Sequence, residues 1–66
     1  MKILLNGREE NLEGESPLAP WLAARGYEGE TFIVLLNGEL FSPGQWRHLT
    51  LRPGDRLEVL HFVGGG

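Results

Sequence analysis

Two Asn-Gly pairs, Asn6-Gly7 and Asn37-Gly38, constrain the folding of this chain more than any other feature. Each stands between runs that read as strands. A two-residue connection of this kind favours a type I′ turn, because both central residues need positive φ and glycine and asparagine take it at low cost. The first pair predicts an antiparallel hairpin between residues 2–5 and 8–13. The second closes the apolar, β-branched run 31–36 and returns the chain into the short Glu39-Leu40-Phe41.

Between the hairpins the pattern becomes helical. Ser16-Pro17 offers an N-cap hydroxyl and a φ-restricted residue for the first helical position, and Leu18, Trp21, Leu22 and Arg25 recur at helical spacing. Gly26 sits where a left-handed C-terminal cap belongs. Pro20 lacks an N–H and is tolerated only within the first turn, which allows the helix to begin one residue later than Pro17. Further on, Ser42-Pro43-Gly44-Gln45-Trp46 reads as one turn of 3₁₀ helix with Trp46 plugging the open end of the core. Arg52-Pro53-Gly54-Asp55 then turns the chain into a last strand over residues 57–63. A single helix has to bury its apolar stripe on one face of the sheet. The expected fold is therefore a two-layer α+β domain, a small mixed sheet with one helix packed on one face, of order ββαβββ. The long intervening segment is the crossover that lets the first and last strands lie parallel.

Size and composition restrict the chemistry available. Sixty-six residues make one domain near the lower limit for folding without staples, and there is no cysteine to provide a disulfide, a thiolate metal site or a thiol nucleophile. A net charge of −3 argues against a nucleic-acid partner. Only three apolar residues follow Met1-Lys2 before Asn6-Gly7, so neither a targeting signal nor a membrane partner is expected, and the expected location is the cytoplasm. His48 and His61 stand isolated, without the companions that a metal site or a catalytic histidine requires, so no metal and no enzymatic activity are expected. Trp21 and Trp46 read as core or core-edge side chains. Glu9, Glu10, Glu13 and Glu15 read as a solvated strand edge that discourages pairing with other chains.

The end of the sequence carries the functional signal. Gly64-Gly65-Gly66 abut His61-Phe62-Val63 with no polar linker between them. Residues 1–63 read as the folded domain and 64–66 as a flexible glycine tail. Such a tail passes through a channel too narrow for side chains and presents the carboxylate of Gly66. Three to four extended residues reach roughly 10 to 14 Å, enough to enter another protein's active site while the body stays outside. The chain then acts as a substrate for enzymes.

Strand parity points to a docking surface beside this tail. Leu57, Val59 and His61 share one face of the last strand, and Glu58 marks the opposite face, with Leu60 and Phe62, as solvated. Lys2 marks the outer face of the first strand and places Leu4 there. Leu35 is assigned to the same patch from a strand apolar on both faces, giving Leu4, Leu35, Leu60 and Phe62 as expected partner-binding residues. Cover by a neighbouring loop or by a second copy is the alternative reading.

The strand order, the Pro53-Gly54-Asp55 turn, the closing strand and the Gly-Gly end together resemble the ThiS/MoaD family of ubiquitin-like, β-grasp sulfur carriers, over the whole chain. The short length, Gly44-Gln45-Trp46 and the ending from Val59 to Gly66 are most similar to its thiamin branch, with Gly64 replacing the small or apolar residue that often precedes the pair. The resemblance implies that the carrier itself binds no cofactor. Gly66 would be adenylated by a ThiF-like activating enzyme that consumes ATP and magnesium. Sulfur originating from a cysteine desulfurase would then displace AMP and leave a thiocarboxylate, which a ThiG-like thiazole synthase would receive for thiamin biosynthesis. Absence of an internal thiol suits this chemistry, since nothing in the chain competes for the acyl-adenylate. Delivery to molybdopterin synthesis or tRNA thiolation by the same chemistry, a ubiquitin-like modifier, and a non-covalent binding module remain open at this level.

Overall fold

Asn6 and Gly7 adopt φ of 49° and 81°, and Asn37 and Gly38 adopt 52° and 86°, so both pairs take the positive φ that the hairpin turns require. The structure is a computed structural model that describes residues 1–62. Val63 and the glycines at 64–66, and with them the expected boundary between domain and tail, lie outside the described residues.

The first turn joins β1 (Lys2–Leu5) to β2 (Arg8–Asn11), with Leu5 opposite Arg8 and Lys2 opposite Asn11. The second joins β4 (Phe32–Leu36) to β5 (Glu39–Phe41). Between the hairpins runs β7 (Arg56–His61), parallel to β1 and antiparallel to β4, and the sheet order is β2-β1-β7-β4-β5. A parallel pair needs a long crossover, and the helix-bearing segment between β1 and β7 supplies it.

The helix α1 spans Leu18–Ala24. Ser16 does not cap it, contrary to expectation. Ser16–Pro17 forms a two-residue strand, β3, paired antiparallel with β6 (Thr50–Leu51), and the Ser16 hydroxyl donates to the Gly14 carbonyl instead. Pro17 is extended, with ψ of 133°, and the Leu18 N–H donates to the Leu49 carbonyl. One donor at the helix start is thus satisfied by a distant backbone carbonyl rather than by a local hydroxyl. With Leu18 first, Pro20 falls within the opening turn and costs no helical bond. At the other end the Gly26 N–H donates to the Ala23 carbonyl and the Tyr27 N–H to the Leu22 carbonyl, the paired bonds of a Schellman motif with Gly26 at φ of 85°. Space around Gly26 is open, so Gly26→Ala meets only the left-handed backbone penalty. It is expected to lower stability by about 1 to 2 kcal/mol, read as a reduced denaturant midpoint with an unchanged sheet signal by circular dichroism.

Three further boundaries differ from expectation. β2 ends at Asn11 instead of continuing to residue 13: Leu12, buried in the core, still exchanges backbone hydrogen bonds with Met1, and the chain then bends away at residues 13–14. The expected 3₁₀ turn is a four-residue α-helical turn, α2 (Pro43–Trp46), in which Gln45 Oε1 accepts the Ser42 N–H at 2.9 Å. β7 ends at His61, two residues short of the expected strand end.

One side of the sheet contributes Ile3, Leu5, Val34 and Leu57 to the core, α1 contributes Leu18 and Leu22, and Leu12, Trp46 and Leu51 close its ends. Trp46 is buried and its indole N–H donates to the Phe41 carbonyl at 3.3 Å, which satisfies the polar atom it takes out of water. Trp21 lies at the core edge, where the Arg25 guanidinium sits 4.6 Å from its ring and also pairs with Glu10. Both tryptophans therefore serve packing, as expected.

Candidate functional site

Since the helix covers one face of the sheet, the other face is left to be read by register. In β1 the alternation is strict: Ile3 and Leu5 are buried, Lys2 and Leu4 exposed. In β7 Leu57 is buried and Glu58 and Leu60 are exposed, which agrees with the expected parity. Residues directly opposite in a sheet share a face, so Leu60 brings Ile33 with it, and Leu35 lies between Glu58 on β7 and Leu40 on β5. The apolar part of the outer face is therefore Ile33, Leu35, Leu40 and Leu60. Phe62 lies just beyond the end of β7. Leu40 and Phe62 are each 59% exposed and Leu60 45%, while Leu35 and Ile33 are half-buried.

Leu4, 38% exposed, stands apart from this cluster. Its neighbour on β7 is Arg56, with Glu58 next along the same face, and on β2 it lies opposite Glu9, which pairs with Lys2 at 3.7 Å. Leu4 is thus an apolar island within a charged strip. Ile33 and Leu40 were missing from the sequence reading. The signal for Leu40 was present, because a two-residue turn at Asn37-Gly38 sets Leu36 opposite Glu39 and hence Leu35 opposite Leu40.

The strand that leads toward the tail is held from both sides, and by the same asparagines that make the turns. Asn6 accepts the Val59 N–H on its side-chain oxygen at 2.9 Å and donates its own N–H to the Leu57 carbonyl at 2.8 Å. Asn37 accepts the Arg56 N–H on its side-chain oxygen at 2.9 Å, donates its backbone N–H to the Arg56 carbonyl at 2.7 Å, and donates its side-chain amide to Asp55 at 3.0 Å. Asp55 in turn accepts the Arg52 N–H at 2.8 Å, fixing the Arg52-Pro53-Gly54-Asp55 turn, with Gly54 at φ of 84°. At the far end the Phe62 N–H donates to the Thr31 carbonyl at 2.6 Å. His61 stacks on Phe32 with ring centroids 4.4 Å apart, and Tyr27 meets the other edge of that aromatic group at 5.7 Å from Phe32. His61 is a stacked surface side chain here, and His48 lies beside the Arg47 guanidinium at 3.4 Å. Among the described residues no cluster of three or more histidine, cysteine or acidic side chains gathers, and no helix is long and apolar enough to cross a membrane.

The arrangement presents an exposed apolar face beside a strand held by hydrogen bonds on both sides. Gly64, Gly65 and Gly66, the expected reacting segment, lie outside the described residues. The model of the ThiS family matches residues 3–66. The crystal structure of the thiamine biosynthesis protein ThiS from Geobacter metallireducens superposes with a TM-score of 0.83 at 30% identity, covering all of both chains. The solution structure of a thiamine biosynthesis protein from the same organism gives 0.77 at 30% identity, covering all of this chain and 88% of that one. Two curated relatives, the thiazole synthases of Magnetococcus marinus and Paramagnetospirillum magneticum, are 38% and 29% identical over all 66 residues. The chain spans 20% of the length of each of these relatives. With its β-grasp sheet, single main helix and match through the glycine end, the chain belongs to the ThiS family, the non-catalytic sulfur carriers of thiamin biosynthesis.

Proposed function

We propose that this chain carries sulfur as a thiocarboxylate on Gly66 and delivers it for thiazole formation. The observation that carries the reading is that the family match runs through Gly65 and Gly66, the latter four residues past Phe62, whose N–H is the last of the bonds that hold β7 and its end at Arg56, Val59 and Phe62 among the described residues. A free carboxylate is a poor electrophile. In this reading a Gly66 carboxylate oxygen attacks the α-phosphorus of ATP in a ThiF-like, magnesium-dependent enzyme, and pyrophosphate leaves. The terminal sulfur of a protein persulfide, charged by a cysteine desulfurase, then bonds to the acyl carbon as AMP leaves, and a thiol of the partner enzymes breaks the resulting acyl disulfide, forming a disulfide with the former persulfide cysteine and releasing the thiocarboxylate. A ThiG-like thiazole synthase takes the sulfur from the thiocarboxylate, and the thiazole synthase relatives support that destination.

Ordering a glycine tail in an enzyme channel costs about 1 to 2 kcal/mol per residue, so the tail alone binds poorly and the folded body has to supply affinity. Ile33, Leu35, Leu40, Leu60 and Phe62 form the apolar area suited to that role. Leu60→Glu and Leu40→Glu are each expected to weaken binding to the activating enzyme by about tenfold or more, roughly 1.4 kcal/mol or above, because they place a charge where a partner must exclude water. As both side chains are exposed, stability should change by no more than about 0.5 kcal/mol. Calorimetric titration and thermal melting on the same variants check this, and unchanged affinity in both would place docking elsewhere. The function itself is tested by ATP–pyrophosphate exchange. The activating enzyme should exchange label only when the carrier is present, and carrier-independent exchange at the same rate would overturn the reading.

A further inference from the structure

We infer that the last turn of strand β7 before the tail is an open pairing edge, onto which the enzyme that receives the tail adds an extended segment of its own backbone; this rests on the reading of Gly66 as the reacting group. β1 pairs with β7 only at Leu4 with Arg56 and Leu5 with Leu57, and then leaves the sheet at Asn6-Gly7. Backbone groups along a strand address its two neighbours alternately. The Phe62 N–H points to the β4 side, where it meets the Thr31 carbonyl. The Leu57 carbonyl and the Val59 N–H point to the β1 side, where Asn6 meets both. His61 has the parity of Leu57 and Val59. Its N–H and carbonyl, together with the Val59 carbonyl, therefore point toward the side that β1 has vacated, and among the described residues they meet no hydrogen-bond partner.

An unpaired strand edge is normally guarded by charge, proline or brevity. The outermost strands follow that rule: β2 carries Glu9 and Glu10, and β5 is three residues long with Pro43 close behind. The stretch Val59-Leu60-His61-Phe62 has no carboxylate, lysine, arginine or proline. Where β1 departs, at the β1–β2 turn, lies a cleft of about 560 Å³ lined by Leu5, Asn6, Arg8, Glu9, Glu10 and Tyr27, with room for a side chain of an added strand. The occupant follows from reach. Residues 63–66 extend at most about 13 to 14 Å from Phe62, so whichever enzyme brings Gly66 to its nucleotide must lay the wall of its channel against the end of β7. Main-chain pairing there would align the tail with the channel before the carboxylate arrives.

Two variants at one position separate the backbone donor from the ring. His61→Ala removes the imidazole and keeps the N–H. His61→Pro also removes the N–H, which β4 does not use, so the sheet should survive. The alanine variant is expected to bind the activating enzyme close to wild type, and the proline variant at least tenfold more weakly than the alanine variant. Hydrogen exchange on the wild-type complex supplies a measurement independent of either variant: the His61 amide should gain protection when the enzyme is added. Equal affinity of the two variants, or a His61 amide that stays unprotected in a complex that still adenylates Gly66, overturns the open edge alone. Protection that appears in the isolated carrier as its concentration rises assigns the edge to a second copy and overturns the enzyme as its occupant. A wild-type chain that neither binds nor is adenylated overturns the Gly66 reading and this inference with it.

Discussion

Deleting Gly66, or converting its carboxylate to an amide, is expected to reduce carrier-dependent ATP–pyrophosphate exchange to background while leaving the melting temperature unchanged. The reason is a division of labour. The described body offers no nucleophile with an activating base, so its only proposed contribution to bond-making is the terminal carboxyl group. Among the described residues the last core side chain is Leu57, with Val59 packed against it, and the last hydrogen bond that anchors this strand is that of the Phe62 N–H, four residues before the change. A bulky side chain at Gly65 should have the same effect for a different reason, steric exclusion from a channel shaped for bare backbone. Exchange and thermal melting on the same samples distinguish the outcomes. Full exchange in the truncated chain would remove Gly66 from the chemistry, and a melting shift as large as that of a core mutation would make the tail structural.

The second large effect concerns adjacent residues on opposite faces. Leu57 is 1% exposed and packs in the core, and Leu57→Ala should cost about 2 to 5 kcal/mol through lost burial and the cavity left behind. A domain of this length holds only about 3 to 10 kcal/mol in total, so this single change should bring the protein close to unfolding. Glu58 lies on the outer face opposite Leu35, and Glu58→Ala should stay within about 0.5 kcal/mol of wild type. Chemical denaturation of the two variants checks the parity on which the proposed docking face depends. A reversed order would move Leu60 to the core side and require the face to be reassigned.

The turns and the parity were legible in the sequence because both are local. Asn6-Gly7 and Asn37-Gly38 have few conformations other than the positive-φ pair, and Lys2 and Glu58 each mark a solvated face for the whole of their strand. Gly26 was legible for the same reason. The failures are long-range. Ser16 has the ordinary character of an N-cap, yet the neighbouring backbone pairs with Thr50–Leu51, which lies over thirty residues away and carries no local sign of it. Asn6 and Asn37 were read as turn residues only, and their side-chain bonds to Val59 and Arg56 depend on β7 lying between the two hairpins. The exposed apolar face was partly legible: Leu60 and Phe62 follow from Glu58, whereas Ile33 needs the pairing of β4 with β7 before its face is defined. The same register separates Leu4 from the cluster by placing Arg56 and Glu58 beside it, a charged strip that no single strand reveals.

The central claim is that Gly66 becomes a thiocarboxylate, and intact mass spectrometry tests it most directly. The carrier is incubated with ATP, magnesium, the activating enzyme and a sulfur source, and fragment ions then locate any change along the chain. The account predicts a mass gain equal to replacing one oxygen by sulfur, confined to Gly66, dependent on ATP and absent from the chain lacking that residue. An unchanged mass under conditions in which the enzyme activates a known carrier, or sulfur incorporated anywhere else in the chain, would contradict it.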